Sequence, residues 1–257
     1  MQTVLVIPTY NERANIHPLV QRIRALPIEA DLFFVDDGSP DGTGELLDSL
    51  HAGDPRLRVM HRPGKLGLGT AYRQAFRHLL KEPYQRVVCM DADLSHPPES
   101  IPDLLRLSED ADLIIGSRYV AGGGTRNCSP FRRTLSRVAN GISRSLLGLK
   151  TKDATAGFRC YRRDLLAALD RLDIRSNGYS FLMEMTYYAQ AMGFQVREAP
   201  ILFEDRIHAK SKMSRSEITK AMKTLLRLGW HRVSGRSAED RKLLAREGLG
   251  PKGSFLI

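Results

Sequence analysis

The first 120 residues alternate short apolar runs with longer segments whose apolar positions recur every three or four residues. Val4-Leu-Val-Ile7, Leu32-Phe-Phe-Val35, Leu57-Arg-Val-Met60, Arg86-Val-Val-Cys-Met90 and Asp112-Leu-Ile-Ile115 read as strands. Between them the spacing predicts helices over about Arg13–Leu26, Gly42–His51 and Thr70–Leu80. Pro97 and Pro98 suit the start of a further helix, where a missing N–H costs little. Strands that are apolar on both faces and alternate with helices predict an α/β fold, a mainly parallel sheet with helices on both faces. The second half is less regular. It carries a helical pattern over about Phe131–Leu149, a short strand at Phe158-Arg-Cys-Tyr161, a helix over about Phe181–Met192, a strand over Gln195–Phe203 and a basic helix over about Ser214–His231. No internal repeat is visible. The stretch after Val233 is polar and rich in glycine and arginine, so part of it is expected to be flexible.

In open parallel sheets, ligands bind outside the carboxyl ends of the strands. Four predicted strands deliver polar groups there: Tyr10 to Glu12, Asp36 to Ser39, Asp91 to Asp93, and Ser117-Arg118. Two carboxylates at i and i+2, Asp91 and Asp93, can share one hard cation and leave its other positions to phosphate oxygens. A carboxylate in Asp36-Asp37-Gly-Ser39 suits a ribose hydroxyl or a base edge. Each cluster has a plainer reading: an acidic helix cap after Asp93, a tight Asp-Gly turn, and Asn11 capping the first helix. All three on one rim by chance is a much weaker explanation. Gly64, Gly67 and Gly69 do not have dinucleotide-binding spacing and read as a loop over a ligand or as simple turn chemistry. His96 either orients the Asp pair or merely begins a helix.

The net charge of +10 suggests an anionic partner, which could be a nucleic acid, a phospholipid surface or a phosphorylated substrate. Nucleic acid is disfavoured, because acidic clusters at strand ends would repel phosphate without a metal, and no helix-turn-helix or RNP signature is present. At 257 residues the chain can bury one sizeable core. No apolar run approaches the ~18–20 residues that cross a bilayer. Met1 to Glu12 holds no basic segment followed by a cleavage site, so a secretory leader is not expected. Cys89, Cys128 and Cys160 are odd in number and far apart, which fits a reducing, cytoplasmic compartment. The seven histidines have no zinc-like spacing.

Pro8-Thr-Tyr-Asn-Glu12, Val35-Asp-Asp-Gly-Ser-Pro-Asp-Gly-Thr43, Gly67-Leu-Gly69, Asp91-Ala-Asp-Leu-Ser-His96 and Gly116-Ser-Arg118, in that order, closely resemble inverting GT-A glycosyltransferases of family 2. Within that group the chain is most similar to dolichol-phosphate (polyprenol-phosphate) mannose synthases. The resemblance runs on through Asp153-Ala-Thr-Ala-Gly-Phe-Arg159 to Arg206 and Lys212 and covers about residues 1–230. It implies a single GT-A, Rossmann-like catalytic domain over 1–233, with a nucleotide-sugar half (1–120) and an acceptor half (121–233), followed by the tail 234–257. It further implies donor contacts from Pro8, Tyr10, Glu12, Val35 and Asp37. Asp91, Ala92 and Asp93 would hold the diphosphate and a metal, Mg²⁺ or Mn²⁺, with Asp91 and Asp93 as the ligands. Arg118, Arg206 and Lys212 would meet the phosphates of donor and acceptor, joined by one of Arg132 and Arg133, here taken as Arg133. Catalysis would then centre on Asp91, Asp93 and Arg118. Ser95 departs from members with glutamine there, and its hydroxyl is a shorter, weaker ligand. The implied donor is GDP-mannose, and the implied acceptor is a polyprenyl or dolichyl phosphate of the kind that feeds protein glycosylation.

An ionised phosphate acceptor needs no strong general base, whereas a sugar hydroxyl does. The candidates for such a base are Asp153 and Glu184. The nearest alternatives are therefore a lipid-phosphate glucose synthase and a hydroxyl-acceptor transferase. The Gln-x-x-Arg-Trp motif of processive members is absent around Trp230, the only tryptophan. Two basic amphipathic helices supply a route for a lipid. Phe131, Leu135, Val138, Ile142, Leu146 and Leu149 fall on one face, with Arg132, Arg133, Arg137 and Arg144 on the other. Ile218, Met222, Leu225 and Gly229 repeat the device opposite Lys220, Lys223 and Arg227. Such helices read as membrane-surface elements, or as ordinary core-facing stripes. Without transmembrane helices of its own, the chain is expected to bind membranes peripherally or through small membrane partner subunits.

Overall fold

The computed structural model describes residues 2–205 and 215–251. Seven strands form one sheet in the order β3-β2-β1-β4-β7-β5-β8. They are β1 (Thr3–Thr9), β2 (Ala30–Asp36), β3 (Leu57–His61), β4 (Arg86–Cys89), β5 (Leu113–Ser117), β7 (Arg159–Arg162) and β8 (Val196–Pro200). A small second sheet pairs β6 (Gly124–Arg126) with β9 (Leu202–Glu204). The strand expected over Gln195–Phe203 is thus two strands in two sheets, divided at Ile201. The helices are α1 (Arg13–Arg24), α2 (Thr43–Gly53), α3 (Leu68–Leu79), α4 (Ile101–Leu107), α5 (Pro130–Leu147), α6 (Arg163–Asp170), α7 (Tyr179–Ala191), α8 (Arg215–Val233) and α9 (Arg236–Arg246).

Successive strand residues point to opposite faces, so each buried strand feeds two cores. Val4 and Val6 join the cluster beneath α3, α6, α7 and α8, whereas Leu5 and Ile7 join that beneath α1, α2 and α4. One strand breaks the parallel pattern. β7 runs antiparallel to both β4 and β5, with Arg159 level with Cys89 on one side and Ile115 on the other. It therefore begins at the rim where β4 and β5 end, and residues 153–158 are delivered between Asp91 and Arg118.

Arg159 locks that delivery. It is fully buried and donates from Nε to the Ala156 carbonyl, from Nη2 to the Ala154 carbonyl, and from Nη1 to Leu182, Thr186 and Tyr161. A buried charge is tolerable only with such saturation.

Part of the polar stretch after Val233 forms α9. Leu244 is buried on the main core, and Ser237 and Asp240 bond to Tyr187 and His231. The sparse apolar content of this segment hid one well-placed anchor.

Candidate active site

Pro8 lies level with Val35, and Thr9 with Asp36, so β1 and β2 end at the same height. Of the two aspartates that follow, Asp36 is a turn former. It is buried, and its carboxylate accepts from the Ser39 hydroxyl at 2.5 Å, the Ser39 amide at 3.1 Å and the Thr9 hydroxyl at 3.1 Å. Asp37 is held differently. Its amide donates to the Thr9 carbonyl, and its carboxylate accepts from Arg62 Nη1 at 2.5 Å and from the amides of Leu66 and Gly67. Burial pushes the Asp37 carboxyl above its ordinary value, although the Arg62 guanidinium opposes the shift.

Arg62, just past β3, is itself buried. It donates to Thr70 Oγ1, and its Nε finds no partner among the described residues. Nothing in the sequence reading pointed to it, yet it stands at a strand end like the residues that were found. Val35 is fully buried in the core, so only its backbone can face a ligand. Pro8 and Tyr10 are half-buried, and Lys65 Nζ lies 4.3 Å from the Tyr10 ring centre. Buried Glu12 accepts from Asn15 Nδ2 at 2.7 Å, while its amide donates to Thr43 Oγ1. Pro8, Tyr10, Glu12, Val35 and Asp37 thus gather at one corner.

The glycine loop closes this corner from the side. Gly67 has φ +97°, and Asn177, at the start of α7, donates to the Leu66 carbonyl and accepts from the Gly69 and Gly178 amides. A Cβ at Gly67 would lie 2.6 Å from Asn177 Nδ2, so the loop closes this tightly only with glycine.

Next to β1, β4 presents Asp91, Ala92 and Asp93. Asp91 is partly exposed, Ala92 is buried and Asp93 is half-buried. The Ser95 amide donates to Asp93 Oδ1 at 3.0 Å, and Leu94 between them has φ +63°. A left-handed leucine costs roughly 1–3 kcal/mol, which surrounding contacts must hold in place. His96 supplies one of them. Its ring is buried, stacked 5.3 Å from Phe158 and edge-on to Phe203, and Nδ1 accepts the Asp91 amide at 3.0 Å. In the neutral ring the proton is therefore assigned to Nε2. Gly157 passes so close that a Cβ there would lie 3.3 Å from His96 Cε1 and 3.7 Å from Asp91 Oδ1.

Beyond β7, Arg118 follows β5 and meets buried Asp153. Its amide, Nε and Nη2 all donate to that carboxylate, at 3.0, 2.8 and 2.7 Å. Burial works against the Arg118 cation, but hydrogen bonding and attraction to Asp153 win and raise its pKa. The guanidinium lies 5.5 Å from the Phe203 ring, whose other neighbour is His96. Asp91 and Arg118 are thus linked through packed side chains. The rim can hold a hard cation between two carboxylates, a polar ring system beside Asp37, and an anion beside Arg118.

A sequence profile of glycosyl transferase family 2 matches residues 4–170, which contain every strand end just described. The chain belongs to glycosyl transferase family 2. It is 48% identical to a polyprenol monophosphomannose synthase of Mycolicibacterium smegmatis over 86% of this chain and 84% of that protein. It is 42% identical to an undecaprenyl-phosphate mannosyltransferase of Micrococcus luteus over 89% and 94% of the two chains. Among solved structures it resembles glucosyl-3-phosphoglycerate synthase from Mycobacterium tuberculosis in complex with Mn²⁺, UDP and phosphoglyceric acid. The TM-score is 0.64 at 19% identity, covering 89% of this chain and 78% of the other. A mannosyltransferase from Pyrobaculum calidifontis in complex with GDP-Man and Mn²⁺ matches at TM-score 0.56 and 14% identity, covering 96% and 79%. At these identities the structural matches speak for the fold, and the fold of this transferase is GT-A.

The remaining residues expected at the acceptor side divide. Arg132 Nη1 pairs with Asp205 at 2.5 Å, while Arg133 is half-buried on the first turn of α5 with no ion pair among the described residues. Arg206 and Lys212 lie outside the described residues. The chain leading to them is anchored beside the site, because the Glu204 amide donates to the Ser95 carbonyl. Both candidates for a general base are occupied. Asp153 serves Arg118, and fully buried Glu184 accepts from the Ser176 amide and Arg227 Nη2.

On α5 the apolar face points outward. Phe131 is 76% exposed, and Leu135, Val138, Ile142 and Leu146 are also exposed, whereas Asn140, Ser143 and Leu147 are buried. Leu149, expected on the same stripe, lies past the helix end and is buried. On α8 the outward strip is Met222, Leu226, Trp230 and Val233, and Leu225 is buried. This strip differs from the expected one, in which Leu225 shared the face of Met222. Ile218's side chain lies outside the described residues. Among the described residues no helix is long and apolar enough to cross a membrane.

Proposed function

We propose that this transferase moves mannose from GDP-mannose to the phosphate of a polyprenyl lipid, working at the cytoplasmic surface of a membrane. The observation that carries the reading is the occupation of both carboxylates expected as a possible base, Asp153 by Arg118 and Glu184 by Arg227. A sugar hydroxyl would need one of them as base. A lipid phosphate arrives ionised and needs only donors nearby, and Arg118 Nη1 is not used by Asp153. The two relatives named for lipid-phosphate mannosyl transfer support the same acceptor and sugar.

In this reading the acceptor phosphate oxygen attacks the anomeric carbon, and the bond to the nucleoside diphosphate breaks on the opposite face. The electron pair leaves with the diphosphate, no proton moves, and the configuration inverts. Asp91 and Asp93 would hold Mg²⁺ or Mn²⁺. They are hard oxygen donors on an open rim, and no group of three or more His, Cys, Asp or Glu side chains suited to a metal exists among the described residues. Such a pair suits an ion that completes its shell with phosphate oxygens. When bound, the ion neutralises charge on the departing diphosphate. Asp37, Glu12 and the Gly67 loop would seat the nucleoside, and the outward strips of α5 and α8 would rest on the bilayer.

The test is transfer of radiolabel from GDP-mannose to polyprenyl phosphate, with and without divalent metal, in wild type and Asp93→Ala. Metal-dependent lipid label that falls roughly a thousandfold in the variant is expected. Label from UDP-glucose alone would replace the sugar but keep the chemistry. Label only in a sugar-hydroxyl acceptor would overturn the proposal.

A further inference from the structure

A cleft of about 450 Å³ opens between α5 and the turn after β5, walled by Arg118, Tyr119, Arg137, Asn140, Arg144 and Lys152 among others. Four of these are cations, and no carboxylate lines the cleft. Arg118 is neutralised by Asp153, whereas Arg137, Arg144 and Lys152 form no ion pair among the described residues. Arg137 instead lies 5.6 Å from the Tyr119 ring centre, which Arg118 approaches at 5.2 Å. Asn140 is buried and donates to the Ser136 carbonyl and to Thr155, yet its buried Oδ1 has no partner among the described residues. Cations converging without counter-charge repel one another unless an anion joins them. The cleft lies on the flank of α5, between its buried face and the outward apolar strip. With that strip in the interface, the cleft opens at headgroup depth.

We propose that this cleft binds the phosphate headgroup of an anionic bilayer phospholipid and so fixes how the transferase sits on the membrane. The proposal rests on the membrane reading of α5 given above. Guanidinium groups pair with phosphate in a bidentate way.

The test uses the full chain and vesicles of phosphatidylcholine, alone or mixed with phosphatidylglycerol. Wild type is expected on both, with tighter partition when phosphatidylglycerol is present. Arg137→Gln/Arg144→Gln should lower partition on the mixed vesicles roughly twenty-fivefold, about fivefold per cation, and leave it unchanged on phosphatidylcholine. Arg56→Gln/Lys81→Gln, at the opposite rim of the sheet, should change neither, and an equal loss there would mean diffuse charge and overturn the proposal. Wild type that binds both vesicles equally would overturn it while sparing the membrane reading, and no binding to either would overturn both. With a short, water-soluble polyprenyl phosphate and no bilayer, the Arg137/Arg144 variant should keep the wild-type acceptor KM. A raised KM would hand the cleft to the acceptor and sink the headgroup assignment.

Discussion

Neighbouring aspartates in the Asp36-Asp37 pair differ in what surrounds them, and so in what they can do. Asp36 is saturated by Ser39 and Thr9, while Asp37 shares its carboxylate between Arg62 and two loop amides. Burial raises the Asp37 pKa despite Arg62. Between the ordinary carboxylate range and that raised value, the folded chain binds more protons than the unfolded one. Asp37's contribution to stability therefore falls as pH rises through this window. Donor binding should move the other way, because the ionised form accepts charge-assisted hydrogen bonds at both oxygens. A plot of kcat/KM for the nucleotide sugar against pH should show an acid limb displaced upward from the usual carboxylate range. Asp37→Asn should flatten that limb and lower the neutral-pH value roughly ten- to a hundredfold, as for one lost charge-assisted hydrogen bond. An acid limb unchanged in the variant would assign it to another group. Arg118 illustrates a second kind of division. Nε and Nη2 are taken by Asp153, which fixes the plane of its guanidinium.

At the scale of elements, the strands and helices of the first half were legible because both apolar periods are strong there. The polar strand ends followed directly, and Tyr10, Asp37, Asp91 and Arg118 all stand on one rim. What stayed hidden depends on contacts between distant segments. Arg159 looks like an ordinary polar break in a short strand, and only its five acceptors reveal it as the pin of the 153–158 turn. The antiparallel sense of β7 is likewise invisible locally, since parallel and antiparallel buried strands share one apolar pattern. The loop after β3 lies between these cases: its glycines were noticed, but their partner Asn177 is more than a hundred residues away. Gly67→Ala should test the loop, because Ala must adopt φ +97° and meet Asn177 at 2.6 Å. A cost of about 1–3 kcal/mol is expected, or roughly 2–4 °C in Tm per kcal/mol, together with a raised donor KM. Gly53→Ala, at the end of α2 with nothing within 4 Å of its Cβ position, should be neutral or slightly stabilising. Equal effects from the two would mean that the loop is not held as described.

For the whole molecule, the distribution of apolar surface matters more than its amount. A globular helix ordinarily turns its apolar stripe to the core. α5 does the reverse, burying Asn140 and Ser143 while Phe131, Val138, Ile142 and Leu146 face outward, and Trp230 on α8 is 67% exposed. The C-terminal ends of the two helices are joined, with Arg232 Nη1 donating to the Leu146 carbonyl and packed so closely that a Cβ at Gly148 would collide with it. Both strips are therefore carried by one connected unit, which also reaches Arg118 and Asp153 through the Asn140–Thr155 contact. A lipid phosphate reaching the rim from a bilayer would enter across this unit. Exposed apolar strips of this kind mark interaction surfaces. Phe131→Ser/Trp230→Ser is thus expected to weaken partition onto neutral phosphatidylcholine vesicles, roughly tenfold per side chain, because the lost term is apolar area rather than charge. Turnover of a short, water-soluble acceptor should survive, since both side chains point outward, while turnover of a long-chain acceptor in vesicles should fall with the partition. Unchanged partition in the double variant would detach the strips from the membrane. Lost turnover of the short acceptor would give them a role in catalysis instead.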